Sequence, residues 1–238
     1  PVVERSAAEY KGGVSALTKP ELPLFSLHFV IMTDHPKAVA GATPERLQQI
    51  EDLLNEKFAA TTGEHLARFK IRSFASLEVI RNSACPEIYE SIVNRTSTRY
   101  GDYWKCKDLN VRAPQGITIF IKHHDKDKLS YGGQVNGMPF AQINWERFLK
   151  DRRVFLHELG HAFGLSHSCP PKKGSGGRPN VMNFIKGCKE LPEGEAGWLY
   201  TPSQAAAVKK RRDGYVKKFA KTKDPVWEKV LAESGLVR

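Results

Sequence analysis

The apolar residues of this chain occur in short clusters, and the spacing within each cluster predicts a strand or a helix. Residues 24–34, LFSLHFVIMTD, form a run of bulky and β-branched side chains that predicts a first, well-buried strand. Apolar and polar residues alternate along 66–79, which predicts a second strand, and 116–125 predicts a third. Glycines and a proline divide the next stretch into two short strand-like pieces, at about 133–136 and 140–145.

Other stretches have the spacing and end signals of helices. Thr43, Pro44 and Glu45 supply an N-cap, a proline at the first helical position and an acidic first turn, so a helix is predicted from Pro44 to about Ala60. Further helices are predicted at 86–100, 147–164, 203–220 and 224–234. The predicted strands all precede the helix at 147–164, and loops plus a helix follow it. This order indicates an upper α/β lobe and a smaller lower lobe.

Size and composition are those of a globular protein. The chain has 238 residues, of which 40% are hydrophobic and 26% charged, and we expect a single domain over 1–238. No apolar run approaches the roughly 20 residues needed to cross a bilayer, and no signal segment opens the chain. The net charge of +11 favours attraction to polyanions, acidic proteins or anionic surfaces.

The four cysteines fall into two pairs that are local in sequence. We predict disulfides Cys85–Cys106 and Cys169–Cys188, each closing a loop of roughly 20 residues worth about 3 kcal/mol in the chain-entropy model. Three connectivities are possible, and four reduced, partly buried thiols are the alternative. The disulfide interpretation predicts a secreted, extracellular protein.

The segment 154–168, VFLHELGHAFGLSHS, contains three of the eight histidines. Positions i and i+4 of a helix share one face, so His157 and His161 can direct their imidazoles at one point. Glu158 lies on the adjoining edge, from which it can reach a water on a metal ion without being a ligand. This is the H-E-x-x-H arrangement of zinc sites, and a catalytic zinc site normally has three protein ligands and one open position.

Gly164 explains how a third ligand reaches the same point. A glycine can adopt a left-handed backbone conformation at little cost, which ends the helix and turns the chain back. His167, three residues later, can then approach from another direction. The full pattern H-E-x-x-H-x-x-G-x-x-H is met at all five positions, which makes it far more specific than H-E-x-x-H alone.

With these residues the segment resembles the metzincin clan of zinc endopeptidases. The serine directly after the third histidine, Ser168, is most similar to that of the matrixins. Metzincins also carry a turn whose methionine forms an apolar floor beneath the three imidazoles, and Met182 in NVMNF lies where that turn is expected. The motif match covers about Phe155 to Phe184, and elsewhere the resemblance is architectural.

The resemblance implies an α+β fold of metzincin-like zincin type. A twisted mixed sheet, a backing helix and the zinc-binding helix are expected in the upper lobe, at about 1–164. The lower lobe, at about 165–238, is expected to be loop-rich and to hold the methionine turn and a C-terminal helix.

The chain also departs from the family. Matrixins carry an aspartate- and glycine-rich segment for structural calcium and a second zinc, but the lysines and spacing around His123, His124, Asp125 and Asp127 do not reproduce it. We therefore expect one catalytic Zn²⁺ and no second metal. Phe184 stands where astacins and serralysins have a tyrosine, so no tyrosine is expected at the zinc.

The implied activity is metal-dependent hydrolysis of peptide bonds. Zinc lowers the pKa of its bound water towards ~7 and polarises the scissile carbonyl, while Glu158 acts as general base and then as general acid. The substrate is expected to lie extended in the cleft, pairing with the exposed strand at Gly132, Gly133, Gln134 and Val135. We expect a monomer.

The basic run at 208–223, VKKRRDGYVKKFAKTK, supports other interpretations. It can bind phosphate or acidic glycans, or form a helix with one buried and one solvated basic face. Lys172, Lys173 and Arg178 can bias the cleft towards acidic substrates. The alternatives to a protease are a non-proteolytic basic binding protein and a toxin or effector with one narrow target, both on a metzincin-like scaffold.

Overall fold

Five strands among the described residues form one mixed sheet. The computed structural model describes residues 22–76, 78, 81–82, 86–87, 116–123, 130–135, 137–168, 180–183 and 195–219. The strands are β1 (Leu24–Ile31), β2 (Arg68–Ala75), β3 (Gly116–Lys122), β4 (Tyr131–Val135) and β5 (Met138–Asn144). They lie in the order β2-β1-β3-β5-β4, and every neighbouring pair is parallel except β4 with β5. Only a short turn joins β4 to β5, so that pair is antiparallel, whereas the parallel pairs have long connections.

The described helices flank this sheet. They are α1 (Pro36–Gly41), α2 (Pro44–Lys57), α3 (Trp145–Lys150), α4 (Arg153–Ala162) and α5 (Pro202–Phe219), and a 3₁₀ turn lies at Glu195–Trp198. The mixed sheet with helices agrees with the predicted α+β class, and the division into two lobes stays a prediction. In the described part of the chain, no helix combines the length and apolar character that a membrane span requires.

Strand β1 lies in the interior of the sheet. Six of its eight residues are buried, among them Phe25, Leu27 and Phe29. A parallel strand with neighbours on both sides and packed layers on both faces needs apolar side chains at nearly every position. This explains why the sequence shows a continuous apolar run rather than alternation, and it confirms the predicted first strand, which ends at Ile31.

Helix α2 confirms the predicted backing helix. The Thr43 hydroxyl accepts a hydrogen bond from the Arg46 N–H at 3.3 Å, and Pro44 occupies the first turn. Leu47, Ile50 and Leu54 are buried, so the predicted apolar face is the one that packs against the core. The helix ends at Lys57, three residues before the predicted end.

The prediction of one helix over 147–164 is wrong, because the structure has two. Helix α3 ends at Lys150 and α4 begins at Arg153. Between them Asp151 is extended, with φ −146°, and its carboxylate accepts hydrogen bonds from the Arg153 N–H at 3.0 Å and from Nε at 2.8 Å. A carboxylate that binds the backbone two residues ahead competes with helical hydrogen bonds, which explains the break.

Helix α5 confirms the predicted C-terminal helix and joins α4 to the core. Its buried residues include Val208, Tyr215 and Phe219. The Tyr215 hydroxyl donates to the Ala162 carbonyl, and the Tyr200 hydroxyl donates to the Leu156 carbonyl at 2.6 Å. Two tyrosines from the C-terminal part of the chain therefore position the helix that carries the candidate metal ligands.

Several predictions fall outside the described residues. The predicted helix at 224–234 and nearly all of the one at 86–100 lie there, together with His124, Asp125, Asp127, Lys172, Lys173, Arg178 and Phe184. The same holds for the four cysteines of the two predicted disulfides, Cys85, Cys106, Cys169 and Cys188.

Candidate metal centre

Three histidine side chains converge at the C-terminal end of α4. His161 Nε2 lies 3.2 Å from His157 Nε2 and 3.0 Å from His167 Nε2. A tetrahedral zinc ion with bonds of about 2.0–2.1 Å holds its nitrogen ligands about 3.3 Å apart, close to these separations. Among the described residues, these histidines are the one set of three potential ligands close enough to share an ion.

Hydrogen bonds at Nδ1 of His157 and His161 determine which ring nitrogen is available to a metal. His157 Nδ1 lies 2.8 Å from the Val181 carbonyl oxygen, and His161 Nδ1 lies 2.7 Å from the Leu165 carbonyl oxygen. A carbonyl oxygen can only accept a hydrogen bond, so each Nδ1 carries the proton and each Nε2 presents its lone pair. This is the arrangement that metal-binding histidines commonly have, and the donor set fits a divalent ion such as zinc.

The environment keeps the three imidazoles neutral. The pKa of His157 is lowered to about 3, chiefly by burial; the hydrogen bond to the Val181 carbonyl acts in the opposite direction, and His161, His167 and Arg147 act with burial. Burial also lowers the pKa of His161, and burial with the charges of His161 and Arg147 lowers that of His167. His157 is buried whereas His167 is exposed, so the group is open to solvent on the side of His167.

Gly164 adopts the left-handed conformation that its position in the motif predicts, with φ +86°. The Leu165 N–H donates to the Gly160 carbonyl at 2.9 Å, and the Gly164 N–H donates to the His161 carbonyl at 2.9 Å. These bonds satisfy carbonyls at the end of the helix while the chain reverses. The reversal brings His167 back to the two histidines of α4.

Met182 lies directly beneath α4. It is completely buried, and a Cβ atom placed on Gly160 would lie 2.3 Å from its sulfur, so a side chain at 160 would displace the methionine side chain from this position. Two carbonyls of the same turn accept hydrogen bonds. The Val181 carbonyl accepts from His157 Nδ1, and the Met182 carbonyl accepts from the Ser168 N–H at 3.1 Å. The turn at 180–183 therefore contacts the segments of the first and third histidines.

Asn180 is a site residue that the sequence interpretation missed. Its side-chain oxygen accepts from the Met182 N–H at 2.8 Å and from the Ser168 hydroxyl at 3.1 Å. The Ser168 hydroxyl also contacts the side-chain oxygen of Asn183. Asparagine side chains often accept a hydrogen bond from the backbone N–H two residues ahead and so form a turn. The bond from the Met182 N–H to Asn180 could therefore have been predicted from the sequence.

Glu158 lies next to the histidines with 2% of its surface exposed. Burial raises the pKa of its carboxyl to about 8, while the charge of Arg147 and a hydrogen bond from the Gly132 N–H act in the opposite direction. Arg147 of α3 is half-buried, and its charge reaches Glu158, His157 and His167. Nothing in the sequence pattern marks Arg147 as a neighbour of this site.

The four residues of the predicted substrate strand all belong to β4. Gly132 contacts Glu158, and Gln134 Nε2 donates to the Ala162 carbonyl at 3.4 Å, so this strand lies along α4. Gly133 and Val135 pair with Phe140 and Met138 of β5. His123, a residue of the segment considered for a second metal, stacks on His35 with ring centroids 3.6 Å apart.

Comparisons with known proteins add a weak likeness. No family model matches the chain, and no curated protein does. Among solved structures, mirolysin in complex with compound 9 aligns with 84% of this chain and 99% of that chain, at 11% sequence identity and a TM-score of 0.44. A likeness at this level assigns neither family nor activity, so function has to be inferred from the site itself.

Proposed function

We propose that this protein is a zinc-dependent endopeptidase of metzincin type that hydrolyses peptide bonds of proteins. The observation that carries the proposal is the convergence of three neutral imidazole nitrogens, 3.0 and 3.2 Å apart, beside the buried carboxyl of Glu158. His157, His161 and His167 are the proposed ligands of one Zn²⁺. Met182 is proposed to form the apolar surface beneath the imidazoles, and Gly164 is proposed to reverse the chain so that His167 reaches the site.

Each residue of the site has a defined part in the proposed hydrolysis. A zinc ion bound there would lower the pKa of a water molecule towards about 7 and polarise the scissile carbonyl. Glu158 accepts a proton from the attacking water and passes it to the amine that leaves, so water and peptide become a carboxylic acid and an amine. The backbone of β4 holds the substrate in an extended conformation across the cleft.

The basic run gives little support to the alternative of a polyanion-binding protein. Lys209 contacts both carboxylate oxygens of Glu64 at 3.0 Å, and Arg212 donates to the Leu66 carbonyl at 2.8 Å. Lys218 donates to the Gly137 carbonyl at 3.2 Å. These three side chains attach α5 to the rest of the fold, which favours a structural role for three of the eight basic residues of the run.

The proposal is tested by metal analysis together with a quenched-peptide or casein assay. The wild type should hold about one zinc ion per chain and lose its activity when a chelator removes it. The Glu158→Gln variant should keep its zinc and lose about 10²- to 10⁴-fold in turnover, because the general base is gone. Glu146→Gln, on α3 and bonded to Lys150 at 2.8 Å, is the matched control and should retain activity.

Two results would contradict the proposal. One is a wild type that binds zinc but cleaves no substrate in a broad peptide library, which would favour a binding protein. The other is cleavage that persists at the wild-type rate in Glu158→Gln, which would exclude this carboxyl as the base.

We further propose that the protein is secreted, acts as a monomer and has the disulfides Cys85–Cys106 and Cys169–Cys188. The support is the sequence-local pairing of the cysteines. Peptide mapping with and without reductant tests the pairing, since each disulfide predicts one cross-linked peptide that reduction separates.

A further inference from the structure

Strand β4 lies very close to α4 at Gly132. A Cβ atom placed on Gly132 would lie 1.7 Å from the carbonyl oxygen of Glu158 and 2.8 Å from its Cα. Both are backbone atoms of a helix, which cannot move aside as the end of a flexible side chain can. A side chain at 132 would therefore force β4 away from the helix at the residue proposed as the base.

The adjacent glycine is under no such constraint. A Cβ atom on Gly133 would meet only the ring of Phe140, at 3.5 and 3.8 Å, which is ordinary van der Waals contact. The close approach is thus a property of position 132 and not of the glycine pair as a whole.

The main chain of Gly132 also contacts the reactive end of Glu158. Its N–H donates a hydrogen bond to the Glu158 carboxylate. A carboxylate with 2% of its surface exposed needs such donors, because a buried polar group without a partner is costly. A hydrogen bond from a strand backbone also restricts rotation of the glutamate side chain.

A second contact keeps β4 in register with α4. Gln134, two residues beyond Gly132, donates to the Ala162 carbonyl, four residues beyond Glu158. Two residues span about 6.8 Å of an antiparallel strand and four residues span about 6.0 Å of a helix, so the two contacts match along the shared direction. The position of Gly132 over Glu158 is therefore held from two points.

We propose that Gly132 is a positioning residue for Glu158: its missing side chain lets β4 lie on α4, and its N–H orients the carboxylate for proton transfer. This inference rests on the proposed peptidase function and deepens it. It gives Gly132 a part in the reaction in addition to pairing with substrate. A displacement of about 1 Å in a reacting group can cost about 100-fold in rate, so the effect on turnover is large.

Gly132→Ala tests the close approach. We expect kcat to fall about 100-fold, by a larger factor than any change in KM, with zinc content unchanged, because β4 and its N–H move away from the Glu158 carboxylate while the metal ligands do not move. Gly133→Ala should lower kcat less than one tenth as much. Gly214→Ala, on α5 with nothing within 4 Å of the new methyl group, is the neutral control. A Gly132→Ala protein with wild-type kcat would overturn the inference.

Replacing the Gly132 amide by an ester tests the hydrogen bond without adding an atom that can clash, and it decides the question if Gly132→Ala does not fold. Glycolic acid at 132 removes the N–H alone, and kcat should fall about 10-fold or more with zinc retained. The same replacement at 133 controls for the loss of one strand amide. Full kcat with the ester at 132 would overturn the orienting role.

A spectroscopic measurement separates this inference from the proposed function. In the zinc-loaded chain with ¹⁵N-labelled glycine, Glu158→Gln should shift the amide resonance of Gly132 more than that of Gly133 or Gly214. If the amide responds but the wild type cleaves no peptide, the contact stands and the peptidase proposal fails. If the wild type is active and the amide does not respond, the positioning role fails.

Discussion

The backbone groups of the two outer strands of the sheet, β2 and β4, have different hydrogen-bond partners. Along β2, the Asn55 side chain of α2 accepts from the Phe69 N–H at 2.7 Å and donates to the Phe69 carbonyl at 3.0 Å. Glu51, one turn earlier, accepts from the Ile71 N–H at 2.6 Å. Along β4, by contrast, the Gly132 N–H is bonded to the carboxylate of Glu158.

Both strands face the same problem, since an edge strand leaves backbone groups that need partners. At β2 the partners are side chains of a helix whose other contacts are structural. At β4 the partner is the carboxyl that we propose as the general base. We infer that substitutions along the β2 edge change stability, whereas substitutions along the β4 edge change chemistry.

The largest effect is expected from His161→Ala, on the helix that β4 covers. Two imidazoles do not complete a catalytic zinc site, so the variant should lose its zinc and its activity should fall to background. Metal analysis after dialysis and a peptide-cleavage assay measure both quantities. Asn55→Ala, at the other edge, should retain a full equivalent of zinc, and a His161→Ala protein that also retained it would remove His161 from the ligand set.

Acid should weaken both edges together through His28 in β1. Burial, and then the charge of Arg72, lower the pKa of His28 to about 3. The folded-state pKa lies below the ordinary value near 6.5, so stability present above pH 6.5 is lost as the pH falls towards 3. The loss from this group is about 1.4 kcal/mol per pH unit. Urea unfolding at pH 7 and pH 5 should show a smaller pH dependence in His28→Gln, and equal dependence would contradict the assignment.

Asn55→Ala isolates the β2 edge. It leaves the Phe69 N–H and carbonyl without their side-chain partner, which should lower the free energy of unfolding by about 1–3 kcal/mol. Zinc content and kcat should stay at wild-type values because Asn55 contacts only the structural edge. A fall in kcat with unchanged stability would show that the two edges are coupled, against the distinction drawn above.

The smallest effects are expected at one positive-φ glycine near each edge. Gly63 (φ +82°) precedes β2, and Gly137 (φ +71°) lies between β4 and β5. Alanine in this conformation costs about 1–2 kcal/mol, so both substitutions should lower the urea midpoint to a similar extent. Lys218 reaches Gly137, whereas nothing lies within 4 Å of a methyl group at Gly63. An activity loss in Gly137→Ala alone would show that the turn sets the position of β4.

Structural features that depend only on residues close together in the chain could be predicted from the sequence. The cap at Thr43 and the left-handed turn at Gly164 each depend on atoms within a few residues, and both were identified from their residue types. The break between α3 and α4 is also local, but apolar spacing continues across it, so the hydrogen bonds of Asp151 were missed. The short helix α1 was missed as well, since six residues are too few to show a period.

Contacts between distant segments left no comparable signal. Asn55 is bonded to a residue 14 positions away, and Gly132 is bonded to one 26 positions away. Asparagine is common on helix surfaces and glycine is common near turns, so neither residue type indicated these contacts. Asn180 reaches the candidate site in the same way, from a turn that is separate from α4, whereas Arg147 reaches it from α3, the helix that directly precedes α4.

By itself the sequence determined the candidate ligands, their spacing, the neighbouring glutamate and the glycine that returns the chain, because helix periodicity and glycine backbone freedom act over a few residues. Only the tertiary structure decided which strand covers Glu158, which helix supplies partners to the opposite edge and how the 180–183 turn contacts α4. Those contacts arise when separate layers pack against each other, and a side chain's partner across a layer depends on the position of every element between them.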